Sequence, residues 1–331
     1  MVLLSITIPT YNRTKLLLEN LNSLIPQLLN NNDVELLIFD NCSTDDTETN
    51  VLELTKKCSN VRYIKNSSNL GYVGNQINCI KHANGIFTAF LCDDDIYING
   101  AVNKILDVIK SNKQLSFIAL NYYSFKSEYK IKYHTNFAPI INKVFKRPYD
   151  IMNYPSVGHF SGYIFNSILA KNVLNDLFDE YGDDLCNQFE SHRGIVSHLA
   201  NLSLSKSTLP SYFIGEQFLA VRIPNEIDYD LLYHLNYNYL KYYNNLFITN
   251  IIDYNDYRYR LKIVLSNLPK ALFIESSIKS KLDYLVLREK FDELLIGNSY
   301  YKYMIRPIFK FSQNKLVKFM WNKFYKFYKR L

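Results

Sequence analysis

Apolar residues in the first hundred positions follow two different periods. Four short runs are rich in Leu and β-branched residues, and the residues between them place apolar side chains three and four positions apart. The short runs predict strands, and the intervening spacing predicts helices. The predicted strands are LLSITIPTY, VELLIFD, VRYIKN and IFTAFLC. Because strands that alternate with helices form parallel sheets through right-handed crossovers, the pattern predicts an α/β fold with a Rossmann-like, mostly parallel sheet flanked by helices.

Two local signals predict where helices of this first part begin and end. Ser43, with Asp46 three residues later, resembles a capping box, so we expect the second helix to start there. Gly85 stands where a glycine commonly ends a helix, so we expect the third helix to stop at that position.

Past residue 120 the pattern predicts fewer strands and then changes to helices. Three further strands are predicted in SFIALNYYSF, GHFSGYIFN and LPSYFIGEQFLAVRIPN. From about Asn225 onward, apolar residues recur at spacings of three and four. We therefore expect an α/β domain over residues 1–224 and a helical C-terminal region over residues 225–331.

Polar residues follow each of the first four predicted strands. They are Thr10, Tyr11 and Asn12 after the first strand, Asp40 and Asn41 after the second, Asn69 and Gly71 after the third, and Asp93, Asp94 and Asp95 after the fourth. Ligands of open parallel sheets bind outside the carboxyl ends of the strands, so we expect these residues to form one site. A single acidic run is weak evidence, since solvated loops also carry such runs. Asp40 has the alternative role of capping the next helix.

Three consecutive carboxylates repel one another unless a cation or water compensates them. Carboxylate oxygens suit Mg²⁺ or Mn²⁺, which proteins hold through one or two carboxylates together with substrate phosphates and waters. Such an ion would neutralise a nucleoside-diphosphate leaving group, and Asp40 could accept a hydrogen bond from the base or the ribose. The acidic run therefore predicts metal-assisted chemistry on a diphosphate.

The composition predicts a globular protein in a reducing compartment. The chain has 331 residues, of which 48% are hydrophobic, so it can bury a large core. Its five cysteines never form a CxxC pair, which predicts neither a disulfide framework nor a zinc site and favours a cytosolic setting. The first residues lack the basic segment of a signal peptide, and no apolar run reaches the ~20 residues of a membrane span. We therefore expect a cytoplasmic location.

The C-terminal residues carry the positive charge of the chain. The net charge is +7, and residues 300–331 contain nine Lys or Arg and no acidic residue. On a helical wheel, Lys315, Lys318, Asn322, Lys326 and Lys329 share one face, and Leu316, Met320, Phe324, Phe327 and Leu331 share another. A basic amphipathic helix with aromatic residues is typical of a membrane interface. Packing on the protein's own core is one alternative, and nucleic-acid binding is another, which the slightly acidic remainder of the chain disfavours.

Four motifs, in this order and spacing, resemble the nucleotide-binding half of family 2 glycosyltransferases of the GT-A fold. The motifs are SITIPTYNR, LLIFDNCSTDDT, NLGYVGN and FLCDDDIY, and the resemblance covers about residues 1–120. It implies a nucleotide-sugar donor, a divalent metal ion and usually inversion at the anomeric carbon. On this basis residues 1–224 would be a GT-A catalytic domain, with a donor half over 1–120 and an acceptor half over 121–224.

The resemblance also implies roles for individual residues. Pro9, Thr10, Tyr11 and Asn12 would line the nucleoside pocket, Asp40 and Asn41 would meet the nucleoside, Asn69, Gly71 and Asn75 would shape the wall beside the ribose and diphosphate, and Asp93, Asp94 and Asp95 would form the metal-binding DXD element. One departure matters: many relatives have L-D-x-D-D where this chain has Leu91, Cys92 and three aspartates. Which aspartate binds metal therefore depends on the alignment, and Cys92 is expected to be packing rather than chemistry.

Inverting transfer needs a general base that deprotonates the attacking hydroxyl. The segment DEYGDDLCNQFESHRG, where relatives often carry the base, offers Asp184 and Glu190 as candidates, and His192 and His198 lie in or near it. A position on a surface helix is the alternative for each carboxylate. Arg222 could reach the diphosphate or could form a structural salt bridge.

These features together predict a metal-dependent, inverting glycosyltransferase. It would move a sugar from a nucleoside-diphosphate donor to a lipid-linked saccharide in surface polysaccharide, lipopolysaccharide or glycan assembly, as a peripheral protein on the cytoplasmic face of the membrane. A nucleotidyltransferase on a related sheet is disfavoured, because PTYNR is not a glycine-rich phosphate loop. A non-catalytic relative that binds saccharide or membrane is the remaining alternative.

Overall fold

The computed structural model describes residues 1–132, 134–135, 138–189, 194–223, 237–275 and 284–311. The chain divides into two compact units, Met1–Asn225 and Glu226–Leu331.

The first unit is built on one sheet with helices around it. Its strands are β1 (Leu4–Thr10), β2 (Val34–Asp40), β3 (Val61–Lys65), β4 (Phe87–Phe90), β5 (Ile96–Tyr97), β6 (Phe117–Phe125), β7 (His134–Thr135), β8 (Lys143–Phe145), β9 (Tyr163–Asn166) and β10 (Ser211–Arg222). Its helices are α1 (Thr14–Leu28), α2 (Thr47–Thr55), α3 (Gly71–Lys81), α4 (Ala101–Ser111), α5 (Ser167–Tyr181), α6 (Leu185–Gln188) and α7 (Gly194–Lys206). Short 3₁₀ turns span Pro148–Asn153, Phe160–Gly162 and Gly182–Asp184.

The sheet order is β3-β2-β1-β4-β9-β6-β10-β5, with β7 paired to β6 and β8 paired to β10. The first four strands run parallel, β9 is antiparallel between β4 and β6, and β10 runs parallel to β6. This arrangement confirms the predicted mostly parallel α/β sheet. In register, Thr10 pairs with Asp40, and Asp40 pairs with Lys65, so the carboxyl ends of β1, β2 and β3 are level.

The core lies between the sheet and the apolar faces of α1 and α4. Leu17, Leu21, Leu24 and Leu28 recur at spacings of four, three and four along α1, and all four are buried. Every residue of β2 is buried, which explains why VELLIFD is continuously apolar apart from Glu35 and Asp40. Glu35 is tolerated because its carboxylate accepts hydrogen bonds from the Ser5 hydroxyl and from Asn84.

The predicted start of the second helix is wrong by one turn. Helix α2 begins at Thr47, and Asp46 is its N-cap residue. Ser43 does not cap it: its hydroxyl oxygen accepts from the Asn12 amide at 2.8 Å, and its O–H donates to Asp40 at 2.5 Å. The Asp45 carboxylate accepts hydrogen bonds from both the Thr47 amide and the Thr47 hydroxyl, which fixes the first turn.

Gly85 does not end the third helix either. Helix α3 stops at Lys81 with His82 as its C-cap, and Gly85 lies just before β4. A Cβ atom on Gly85 would lie 2.5 Å from the Ser5 backbone nitrogen and 2.8 Å from the Leu4 carbonyl carbon. Glycine is required here because two backbone segments approach closely, not because a helix terminates.

The second unit is helical in the part that the structure describes. Its helices are α8 (Tyr239–Ile248), α9 (Tyr254–Glu275), α10 (Tyr284–Leu295) and α11 (Arg306–Phe311), with a π-helical turn over Tyr301–Ile305. Asp292 on α10 accepts hydrogen bonds from Tyr301 and from both Nε and Nη2 of Arg306. No helix in these described ranges is long and apolar enough to cross a membrane. The basic aromatic face predicted from Lys315 to Leu331 lies outside the described residues.

Replacing Gly85 with Ala is expected to lower the free energy of unfolding by about 1–3 kcal/mol, because the added methyl group overlaps backbone atoms that cannot move independently. Urea denaturation of both proteins measures the change. Gly158→Ala is the matched control, since a Cβ there would meet nothing within 4 Å. Equal losses in the two variants would contradict the close-approach explanation.

Candidate active site

The carboxyl ends of β1, β2 and β4 are joined directly by hydrogen bonds. The Thr10 hydroxyl donates to Asp93 at 2.9 Å, and the Asn41 amide donates to the Thr10 carbonyl at 2.9 Å. The predicted convergence of polar residues at this edge of the sheet is therefore present in the structure.

Asp93 and Asp94 share one cation. The Arg13 guanidinium donates to Asp93 at 2.6 Å through Nη1 and to Asp94 at 2.8 Å through Nη2. Asp93 is almost completely buried, whereas the Asp94 side chain is 25% exposed. Burial raises the pKa of Asp93 to about 7, and the nearby positive charge of Arg13 opposes that rise. Asp94 is the carboxylate of this pair that a ligand can reach.

Asp95 is bound to more distant parts of the chain. Its carboxylate accepts hydrogen bonds from the Ser161 hydroxyl at 2.5 Å and from the Arg222 backbone amide at 2.9 Å. Nδ1 of His159 lies 3.4 Å from the same carboxylate. Burial raises the pKa of Asp95, and the charge of His159 opposes the rise. Asp95 thus links the acidic loop to the turn before β9 and to the end of β10.

The acidic loop, Cys92 to Asp95, is also hydrogen-bonded to a polar face of α1. The Asn20 side-chain amide donates to the carbonyl oxygens of Cys92 and Asp95, at 3.1 and 2.6 Å. Ser23 and Gln27 both donate to the Tyr97 carbonyl, at 2.8 and 3.1 Å. These three residues, at spacings of three and four along α1, therefore fix the loop after β4 and the end of β5.

The residues present fit a hard divalent cation. Ligand atoms of Cys92, Asp94 and Asp95 lie within 4.8 Å of one another, the one such group found among the described residues. Burial raises the pKa of the Cys92 thiol, so its sulfur stays protonated and is a poor ligand. The exposed carboxylate of Asp94 suits Mg²⁺ or Mn²⁺ held by few protein oxygens together with phosphates and waters.

A network of asparagine side chains shapes the loop between β3 and α3. The side-chain nitrogen of Asn41 donates to the Asn69 side chain at 2.7 Å, and its side-chain oxygen accepts from the Leu70 backbone amide at 2.9 Å. Asn66 donates to Asn41 and to Asn75, at 3.1 and 3.0 Å. The carbonyl of Gly71, a residue with φ of 72°, accepts from Asn41. The predicted residues Asn41, Asn69, Gly71 and Asn75 are therefore brought together.

Asp40 is fully buried and already hydrogen-bonded. Its Oδ1 atom accepts from the Ser43 amide at 2.9 Å and from the Ser43 hydroxyl, and its Oδ2 atom accepts from the Tyr63 hydroxyl. Burial and the Asp40 carboxylate both raise the pKa of Tyr63. Asp40 stabilises the turn after β2 but does not cap α2. Its contact with a nucleoside stays a prediction.

Pro9 and Thr10 end β1, and Tyr11 and Asn12 lie in the loop after it. Pro9 is half-buried and Tyr11 is exposed. Asn12 adopts a left-handed conformation with φ of 52°, and its side-chain oxygen accepts from the Thr44 amide at 2.8 Å. Its own amide donates to the Ser43 hydroxyl, so the loops after β1 and β2 are tied together.

The candidate bases differ in what the structure says about them. Asp184 is exposed, and its carboxylate accepts hydrogen bonds from the side chains of Gln188 and Asn187, which lower its pKa. Glu190 and His192 lie outside the described residues. Burial lowers the pKa of His198 to about 4, so that ring is neutral at physiological pH. The assignment of the base to Asp184 or Glu190 stays a prediction.

Arg222 takes the structural alternative. Its guanidinium donates to Glu19 at 2.5 Å and to the Asp94 carbonyl at 3.2 Å, and it stacks 4.5 Å from the centre of the Phe125 ring.

Sequence reasoning missed Arg13, Ser161 and His159. Arg13 stands inside the motif SITIPTYNR, and the need of three adjacent carboxylates for a counter-charge was the signal that could have identified it. Ser161 and His159 gave no such signal, because only the folded chain brings them to Asp95, from 66 residues away in the case of Ser161.

Comparisons with known proteins agree with this geometry. The model of Glycosyl transferase family 2 matches residues 5–177, more than half of the chain. A β-1,3-glucosyltransferase of Campylobacter jejuni, named for its GalNAc(5)-diNAcBac-PP-undecaprenol substrate, is 35% identical over 104 residues, which cover 31% of this chain and 33% of that protein. The abequosyltransferase RfbV of Salmonella typhimurium is 40% identical over 96 residues, 28% of each chain. The chain thus spans about a third of the length of these relatives.

The fold is also found among solved structures. TarS 1-349 of S. aureus, solved in complex with UDP, superposes with a TM-score of 0.54 at 14% identity, over 92% of this chain and 73% of that one. At this identity the likeness concerns the fold alone.

The stability of the protein is expected to fall as the pH rises from about 4 to about 7, through Asp93. A carboxyl with a pKa of about 7 when folded and 3.8 when unfolded binds its proton more tightly in the folded state. Its contribution is complete below pH 4 and is lost as the pH passes 7, with a slope of up to about 1.4 kcal/mol per pH unit.

Asp93→Asn removes this titration while keeping the shape of the side chain. Urea denaturation of both proteins in chelator-containing buffers between pH 4 and 8 measures the difference in unfolding free energy. That difference should shift in favour of the variant as the pH rises, and a constant difference would refute the raised pKa.

Proposed function

This chain belongs to glycosyl transferase family 2, and from that premise we propose that it transfers a sugar from a nucleoside-diphosphate donor to a saccharide acceptor in the assembly of a bacterial surface glycan. The observation that carries the proposal is the convergence of Thr10, Arg13, Asp93 and Asp94 at the carboxyl edge of the sheet. The family match confirms the resemblance stated from the four motifs.

We propose that the donor binds along this edge. The end of β1 and the loop after it would line the nucleoside pocket through Pro9, Thr10, Tyr11 and Asn12, together with Asp40. The asparagine network around Asn41, with Asn69, Gly71 and Asn75, would form the wall beside the ribose and diphosphate. These side chains already make hydrogen bonds with one another and with the backbone. They would therefore contribute a rigid surface for the donor to pack against.

A divalent Mg²⁺ or Mn²⁺ ion, when bound, would neutralise the charge that develops on the nucleoside-diphosphate leaving group. Asp94 would be its principal protein ligand, with Asp93 and Asp95 beside it. Arg13 would supply a second positive charge at the same place, and its guanidinium geometry suits phosphate oxygens. The acceptor hydroxyl would attack the anomeric carbon with inversion, and Asp184 or Glu190 would take its proton.

The acceptor is proposed to be lipid-linked. The Campylobacter jejuni relative and the WfgD glucosyltransferase of Escherichia coli are both named for undecaprenol diphosphate substrates. With such an acceptor the enzyme would work at the cytoplasmic face of the membrane, where the basic aromatic C-terminal residues would attach it.

Asp94→Ala is expected to abolish metal-dependent turnover while leaving the melting temperature within a few degrees of the wild type, because Asp94 is the accessible carboxylate. The measurement is hydrolysis of UDP-, GDP-, dTDP- and CMP-linked sugars with Mn²⁺ or Mg²⁺. Asp95→Ala should also unfold at lower temperature, since Ser161 and the Arg222 amide lose their acceptor.

Glu53→Ala removes an exposed carboxylate on α2 and is the control, with unchanged turnover expected. Wild-type rates for Asp94→Ala without added metal would show that the metal site is wrong. Hydrolysis of no donor by the wild type would favour the non-catalytic alternative.

Asp40→Ala is expected to weaken nucleotide binding by about 1.5–3 kcal/mol, the value of a hydrogen bond to a charged group. Ser43 and Tyr63 use three of the about four acceptor positions of the buried Asp40 carboxylate, so the proposed nucleoside contact would take the fourth or replace one of these partners. Isothermal titration with nucleoside diphosphates measures the affinity. Tyr63→Phe keeps the carboxylate and should keep the affinity. Unchanged affinity in Asp40→Ala with a lower melting temperature would leave Asp40 a purely structural role.

Truncation before Asn314 is expected to weaken binding to anionic vesicles while preserving donor hydrolysis. The basic residues of the C-terminal segment each contribute about 1 kcal/mol near an anionic surface, and salt should weaken the attachment because exposed charges are screened over about 8–10 Å. Vesicle co-sedimentation at rising ionic strength measures this. A truncated protein that fails to fold would show instead that the segment belongs to the core.

A further inference from the structure

Three aliphatic side chains within five residues are exposed in β8 and just before it. They are Ile140, Ile141 and Val144, which we call the aliphatic patch. Ile140 and Ile141 are adjacent in sequence and are 69% and 66% exposed. Single exposed apolar residues are ordinary, but a group of them marks an interaction surface.

The backbone that carries the patch is fixed against β10. The Gly215 amide donates to the Asn142 side chain at 3.0 Å. A Cβ atom on Gly215 would lie 2.3 Å from the Ile141 nitrogen, so only glycine admits this contact. The two exposed isoleucines therefore project from a backbone segment that is packed against β10.

The patch lies beside the first half of β10. Val144 pairs with Tyr212 of β10, and the backbone of Ile141 lies against Gly215. Tyr212 and Gly215 are three positions apart in this strand, a distance of about 10 Å. The three members of the patch therefore lie within one short stretch of the surface.

Basic residues flank the patch in the sequence. Residues 126–147 contain Lys126, Lys130, Lys132, Lys143, Lys146 and Arg147 against a single acidic residue, Glu128. The side chains of Lys130, Lys143 and Lys146 are exposed. Aliphatic side chains among lysines match the two layers of an anionic bilayer surface, acyl chains beneath charged headgroups.

We propose that the aliphatic patch is a membrane-contact surface of the first unit, which inserts Ile140 and Ile141 among the lipids of an anionic bilayer. A protein partner fits less well, because lysine is depleted in protein interfaces and three aliphatic side chains offer well under the ~800 Å² that each partner of a stable complex buries. This surface is separate from the C-terminal segment, and its binding does not depend on sugar transfer.

The test compares full-length variants on vesicles of phosphatidylcholine with and without phosphatidylserine. Ile140→Ser with Ile141→Ser should weaken binding at least about tenfold, from the loss of two inserted apolar side chains. Leu52→Ser with Ile168→Ser is the matched control, because both residues are exposed elsewhere on the first unit, and it should bind like the wild type. Melting temperatures verify that all variants fold.

Charge is tested in the same way. Lys130→Gln with Lys146→Gln should weaken binding to phosphatidylserine vesicles by about tenfold or more and should leave binding to neutral vesicles unchanged. Lys57→Gln with Lys113→Gln removes the same charge from exposed positions elsewhere and should have little effect.

Two results would overturn the proposal. One is that the Ile140→Ser, Ile141→Ser double variant binds vesicles with the same affinity as the wild type. The other is a wild-type dimer in light scattering that the same variant converts to a monomer, which would make the patch an interface between copies of the chain. Donor hydrolysis by every variant is measured in parallel, so failure of the proposed function is seen separately from failure of membrane contact.

Discussion

Three adjacent carboxylates at the end of a buried strand must be compensated, and much of the first unit is arranged around that requirement. Arg13 forms ion pairs with Asp93 and Asp94 from the loop after β1. Ser161 and the Arg222 amide donate hydrogen bonds to Asp95 from the turn before β9 and from the end of β10. One cation and two neutral donors thus bring elements far apart in sequence to one acidic loop. An unpaired charge in the interior would cost several kcal/mol, so these contacts are required by burial.

The same edge is otherwise built from amides. Asparagine side chains can both donate and accept, so Asn41, Asn66, Asn69 and Asn75 close a network that fixes the loop before α3 without adding charge. The edge thus has two halves: an uncharged one of fixed amides, and a charged one of the acidic run with Arg13.

The sequence predicted the parallel sheet and the edge that carries the site, because strand periodicity and the chemistry of strand ends are local properties. Residues whose role depends on contacts across the chain were not predictable in this way. Ser43 has the spacing of a capping box, yet its hydroxyl oxygen accepts from the Asn12 amide of the loop after β1, and its proton goes to the buried Asp40. Gly85 has the position of a helix C-cap, yet the packing of β1 against the segment before β4 is what requires it. For Arg222 the residue type allowed two roles, and only the position of Glu19 on α1 decides between them.

The polar stripe of α1 has a consequence for anyone who alters this protein. Asn20, Ser23 and Gln27 follow helical spacing, and from their residue types they would be taken for an ordinary solvent face, open to replacement by charged residues that improve solubility. Asn20 instead holds two carbonyls of the acidic loop, and Ser23 and Gln27 hold the Tyr97 carbonyl of β5, directly after it. Surface engineering of α1 would therefore loosen the active-site loop from behind, and such a variant could stay soluble and folded while losing its activity.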